Sequence, residues 1–271
     1  MIRYVRLRFI VFVGLLGLLA WSCSSVPITG RRQLSLVPED QIIAMATAQY
    51  DTVLLTHKLS TNKEQTAMIK RCGGRIQRAV ESYFQSKNQM AQLEGYKWEF
   101  NLIESDEVNA WCMPGGKVAF YTGILPVCKD ETGVAVVMGH EIAHAVARHG
   151  NERMSQAMLA QYGSVALDVA LAKNSEQTKH MAATAFGIGA TYGALMPFGR
   201  KQESEADHLG LIFMAMAGYD PHAAVPFWER MAASGGGKPP EILSTHPSDE
   251  TRIANLKQLM PEAEKYYKPA N

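Results

Sequence analysis

Two histidines four residues apart, His140 and His144, bracket a glutamate, Glu141, inside a stretch with helical patterning over residues 131–148. That spacing stacks both imidazoles on one helix face, one turn apart, where they can bind a single zinc ion. Glu141 sits beside that face and can reach a metal-bound water without ligating the metal. The chemistry this supports is hydrolysis: zinc lowers the pKa of water to about 7, and a carboxylate takes its proton. Val134, Val136, Val137 and Met138 before the pair, with Ala143, Ala145 and Val146 after it, make this helix apolar enough to cross a core.

Catalytic zinc takes three protein ligands and keeps a fourth position open. A metzincin would require glycine at Ala147 and histidine at Gly150, so that class is excluded. His149, five residues after His144, points away from the metal face of a continuous helix and reads as a helix-end residue. Downstream, Glu203-Ser204-Glu205-Ala206-Asp207 carries two acids four apart on one helix face. Alone, such a pair is most often a solvated surface. Beside the histidine motif, Glu203 becomes the candidate third ligand, and Asp207 a candidate acceptor for a ligand histidine's second N–H.

These residues need elements to hold them. Helical patterning is expected over 42–55, over 63–84 with Gly73-Gly74 as a candidate interruption, and over 131–148 with Gly150 as its stop. Residues 97–103 alternate as a strand, and 109–124 hold two short β segments around Pro114-Gly115-Gly116. Two alanine-rich helices follow, over 153–172 and 177–196, the second read as buried or groove-lining rather than membrane-spanning. Helices over 202–217, 222–233 and 248–260 complete the chain, with a flexible loop at 235–240. The balance of 27 basic and 26 acidic residues, with no long run of one sign, gives no reason to expect nucleic-acid binding.

The first 22 residues read as a leader: Arg3, Arg6 and Arg8, then an uncharged apolar stretch too short to span a bilayer comfortably. Its end, Ala20-Trp21-Ser22-Cys23, resembles a bacterial lipoprotein signal, which implies cleavage before Cys23 and acylation there. Residues 23–38 then form a tether and 39–271 the catalytic domain. Of the remaining cysteines, Cys72, Cys112 and Cys128, at least one is unpaired. Cys112 and Cys128 flank the expected hairpin, but their spacing decides nothing.

Four blocks in order resemble peptidase family M48: Asn109-Ala110-Trp111-Cys112-Met113-Pro114-Gly115-Gly116, the His140–His144 helix, Arg200-Lys201-Gln202-Glu203-Ser204-Glu205-Ala206-Asp207, and Thr245-His246-Pro247. The resemblance implies an α+β, mainly helical, zincin-like metalloprotease domain with a small sheet whose edge strand borders the active-site cleft. It implies one catalytic zinc ion on His140, His144 and Glu203, with Glu141 as general base and Asp207 behind a ligand. It makes His246 either a transition-state donor or a cap on the metal. It places Asn109, Ala110 and Trp111 on the edge strand, where an extended peptide adds as a further strand. Arg252 falls within the pattern after His246 and reads most simply as a partner of Asp249 or Glu205.

The expected function is zinc-dependent endoproteolysis of unfolded or misassembled envelope proteins. The alternative is a zinc-bearing chaperone or binding lipoprotein with restrained proteolysis. The leader and Cys23 imply a bacterial envelope location, lipid-anchored at the outer membrane and facing the periplasm.

Overall fold

Apolar residues recur at helical spacing on both sides of one short alternating segment, and the computed structural model follows that division. It describes residues 23–26, 28–191, 195–234 and 250–269. The leader, the 235–240 loop and the block holding His246 lie outside the described residues.

The chain forms two compact units, one from Met1–Glu39 with Asn151–Leu195, the other from Asp40–Gly150 with Met196–Asn271. In the larger unit, three strands order as β3 (Glu99–Ile103), β5 (Lys117–Tyr121) and β4 (Ala110–Met113). β5 runs parallel to β3 and antiparallel to β4, so β4 is an edge strand. Trp111 and Met113 of β4 pack with Tyr50, Val53 and Leu54 of helix α1 (Glu39–Thr56), covering one sheet face.

The other face meets helices α2 (Lys63–Ser86) and α4 (Glu131–Val146), which follows the single turn α3 (Leu125–Cys128). α2 is not interrupted at its glycine pair. The Phe100 ring fills the space of a side chain at Gly73, where a Cβ would fall 2.3 Å from Phe100 Cδ1. Every residue of α4 from Gly133 to Val146 is buried, and Asp130 caps its start by accepting from the Gly133 N–H. The helix is thus hydrophobic all round because it has no solvent face.

The stop at Gly150 is corrected. α4 ends at Val146, and Arg148 takes a left-handed conformation, φ 57°. Helix α5 (His149–Ala170) starts immediately afterwards, with Gly150 inside it. Later in this unit come α7 (Met196–Met216), α8 (Ala224–Ala233) and α9 (Glu250–Ala263). α7 crosses α4 at a pair of glycines, Gly139 and Gly210.

In the smaller unit, the expected tether contains an antiparallel pair, β1 (Cys23–Ser25) with β2 (Arg32–Leu34). Ile28 and Gly30, at φ 64° and 65°, make the intervening turn. Arg31 forks onto Glu152 of α5 at 2.8 Å through both nitrogens. Helix α6 (Glu176–Ala190) holds no buried residue, and Met181 and Ile188 are exposed, which corrects its reading as a buried helix. Six of its fifteen residues are alanine or glycine, which offer little apolar area to bury. Among the described residues no helix is long and apolar enough to cross a membrane. Cys72, Cys112 and Cys128 are all free thiols.

Candidate metal centre

α4 presents His140 and His144 one turn apart, their Nε2 atoms 3.1 Å from each other. α7 brings Glu203 opposite them: its Oε2 lies 3.3 Å from His140 Nε2 and its Oε1 3.3 Å from His144 Nε2. The three residues form the one group of histidine, cysteine or carboxylate donors among the described residues that could hold a metal ion. The separations themselves test the fit. A tetrahedral zinc with bonds of about 2.0 Å has corners roughly 3.3 Å apart. Two imidazoles and one carboxylate are also a donor set typical of catalytic zinc. Glu141, next to His140 on α4, is 3% exposed.

Behind His140, Asp207 Oδ1 lies 2.9 Å from Nδ1. Arg252 of α9 reaches the same carboxylate oxygen at 2.5 Å and lies 3.4 Å over the Trp228 ring of α8. Trp228 in turn stands edge-on to His140, ring centroids 5.5 Å apart. Arg252 therefore meets Asp207, while Asp249, one of the partners suggested for it, lies outside the described residues. Burial opposes ionisation of Asp207, but Arg252 and the hydrogen bond from His140 outweigh it and hold the carboxyl below its usual range. Burial and the Arg252 charge likewise disfavour protonated His140. Hydrogen bonds to Asp207 and Glu203 prevail and raise it to about 9. His144 moves the other way: burial, with His140 and His149 nearby, holds it well below the usual value.

His149 is the main departure from the sequence reading. It is completely buried, its Nδ1 2.8 Å from His144 Nδ1 and its Nε2 3.0 Å from Glu205 Oε2. On a continuous helix, five residues place a side chain about 140° away. The left-handed step at Arg148 breaks that continuity and turns His149 back onto His144.

Asn109, Ala110 and Trp111 lie on or next to edge strand β4, which packs against α4. Their side chains serve the fold. Asn109 Oδ1 accepts from the Ala110 N–H at 2.9 Å, Ala110 is buried, and the Trp111 indole donates to Tyr121 Oη at 3.3 Å. His246 lies outside the described residues. So does the side chain of Cys23, whose backbone belongs to β1.

The family model for peptidase family M48 matches residues 73–260. The chain is 36% identical over 248 residues to the mitochondrial metalloendopeptidase OMA1 of Schizosaccharomyces pombe, covering 88% of this chain and 67% of that protein. Against human mitochondrial OMA1 it is 28% identical over 253 residues, covering 90% of this chain and 47% of the relative. With the beta-barrel assembly-enhancing protease of Escherichia coli it shares 34% identity over 169 residues, 59% of this chain and 34% of that protein. The chain thus spans about half the length of its human relative.

These matches overturn the expected bacterial outer-membrane location, since the yeast and human relatives are named as mitochondrial proteins. They lend no support to the lipoprotein reading either. On the match across residues 73–260, which takes in both histidines, Glu141, Glu203 and Asp207, this chain belongs to peptidase family M48, a family of zinc-dependent metalloendopeptidases.

Proposed function

We propose that the domain of residues 39–271 is a zinc endopeptidase acting on extended, unfolded polypeptide, with Glu141 as its general base. The observation that carries this reading is the convergence of His140, His144 and Glu203 at 3.1–3.3 Å, with Glu141 adjacent on the same buried helix. When bound there, zinc would acidify a water molecule and polarise the scissile carbonyl.

The protein's own residues do the rest. Glu141 takes the proton of the attacking water and passes it to the leaving amine, so one carboxylate serves both halves of the reaction. Asp207, fixed by Arg252, holds the His140 ring by its Nδ1–H. His246 is assigned as a second donor to the oxyanion, on the family resemblance. The edge of β4, unpaired in the sheet among the described residues, takes the peptide by main-chain hydrogen bonds, which read extended shape more than side-chain identity. Relatives named as endopeptidases agree with cleavage inside a chain.

Casein cleavage, with bound zinc measured alongside, tests the proposal. Glu141→Gln is expected to keep about one zinc per chain and lose cleavage by at least about a hundredfold. Cleavage at the wild-type rate in a zinc-loaded Glu141→Gln protein would sink the mechanism.

A further inference from the structure

Five of the large apolar side chains left exposed in the smaller unit share one face of α5. At about 100° per residue, Met154, Leu159, Tyr162, Val165 and Val169 fall within an arc of about 140°. Tyr162 is 63% exposed, Val165 55% and Val169 71%. From Met154 onward this arc carries no charge. Apart from the Tyr162 hydroxyl, its one polar side chain is Ser155, which is buried and accepts from the Leu36 N–H at 2.9 Å. Arg153, Gln161, Ser164 and Asp168 all fall outside the arc. The neighbouring helix does not cover it: Phe186 of α6 packs at Gly163, about 180° round from Met154, where a Cβ would lie 2.7 Å from the ring. We infer that this face of α5 lies flat on a lipid bilayer, with its apolar side chains in the boundary between headgroups and acyl chains.

The chain's own N-terminal sequence argues for that occupant. Residues 9–20 are apolar or glycine without a single charge, behind Arg3, Arg6 and Arg8, a composition that partitions into a bilayer. Only Trp21 and Ser22 separate them from β1. β1 pairs with β2, Arg31 holds that hairpin to Glu152, and Leu36 meets Ser155 at the foot of the exposed face. A bilayer that takes residues 9–20 therefore lies within a few residues' reach of α5. Twelve residues fall short of the roughly 20 that spanning requires, and among the described residues no helix is long and apolar enough to cross a membrane. A helix with a wide uncharged arc and its polar residues behind it suits the plane of the interface. A second copy of the chain would also cover apolar surface, but nothing in it would answer to the apolar run that meets the foot of this face.

Hydrogen exchange, read peptide by peptide in the full chain with and without phosphatidylcholine vesicles, tests the inference. Vesicles are expected to slow exchange across 153–170 by at least about threefold and to leave α4 unchanged. Val165→Asp with Val169→Asp puts two charges on the face at exposed positions, where substitution disturbs folding little. That variant should lose the slowing at 153–170 even where residues 9–20 still carry it to the vesicles. Val169→Asp alone makes the comparison if circular dichroism shows the double variant unfolded. No slowing at 153–170 in wild type, whether or not the chain binds vesicles, would overturn the inference, as would slowing of equal size in the Asp variants. Slowing that needs no vesicles and rises with protein concentration, alongside a doubled sedimentation mass, would overturn it too and give the face to a second copy.

Discussion

Gly139 and Gly210 meet backbone to backbone where α4 crosses α7. A Cβ on Gly139 would lie 2.8 Å from the Gly210 carbonyl oxygen, and one on Gly210 would lie 2.9 Å from the His140 amide nitrogen. The contact sits one residue from His140, a proposed metal ligand, and Glu203 stands two turns back along α7. Gly139→Ala should therefore cost about 1–3 kcal/mol, the usual penalty for overpacking a well-filled core. Because the obstruction is backbone rather than a movable side chain, it should also loosen the ligand spacing and weaken zinc binding. Thermal unfolding with and without zinc checks this; a midpoint equal to wild type in both would refute it.

Asp207 and Arg252 are each 4% exposed in their side chains, a buried ion pair. Removing Arg252 leaves Asp207 with His140 as its cationic neighbour, and breaking a buried pair typically costs up to about 3–5 kcal/mol, about ten times a surface pair. Arg252→Met should fall near that range, and Arg252→Met with Asp207→Asn should recover part of the loss. Denaturant unfolding of both proteins decides it. If the double variant is no more stable than the single, the pair does not carry the energy assigned to it.

His140, raised to about 9 without metal, holds a proton at neutral pH that zinc must displace. A group whose folded pKa is raised favours the protonated form at every pH below that value. Apparent zinc affinity should therefore rise with pH up to about 9 and level off above it. Calorimetry at pH 7 in buffers of different ionisation enthalpy should show about one proton released per zinc. Buffer-independent heats would contradict the prediction.

Glu131, first residue of α4, governs the acid side. Partial burial raises its pKa, but hydrogen bonds from Arg71 and Tyr219 do more, and the net shift is downward from 4.5. A depressed carboxyl stabilises the fold above its unfolded pKa, and that contribution is lost as pH falls through the lower folded value. Between pH 6 and 3 the unfolding midpoint of wild type should fall more steeply than that of Glu131→Gln. Parallel curves would assign acid sensitivity elsewhere.

The helix of His140 and His144 is legible from residue types alone, because a 3.6-residue period and an apolar flank fix both its form and its burial. Glu203 and Asp207 are legible because helical spacing four apart puts them on one face. Glu205, between them, falls on a different face, so a search for one acidic face passes over it. His149 is hidden by Arg148, a residue with no preference for the left-handed step it takes, while Gly150 offers a false stop two residues later. The signal that was present is a histidine five residues after His144 together with a third acid in the downstream block. Arg252 depends on how α9 packs, which no local pattern encodes.

Edge strand β4 has a consequence for how the protein can be handled. Nothing in main-chain pairing distinguishes a polypeptide about to be cut from one that never will be. The edge proposed to take substrate is therefore equally a seat for released fragments and for unfolded copies of the protein itself. Turnover and solubility are tied to the same row of peptide groups, so charge or proline placed there to keep concentrated protein in solution would close the groove as well.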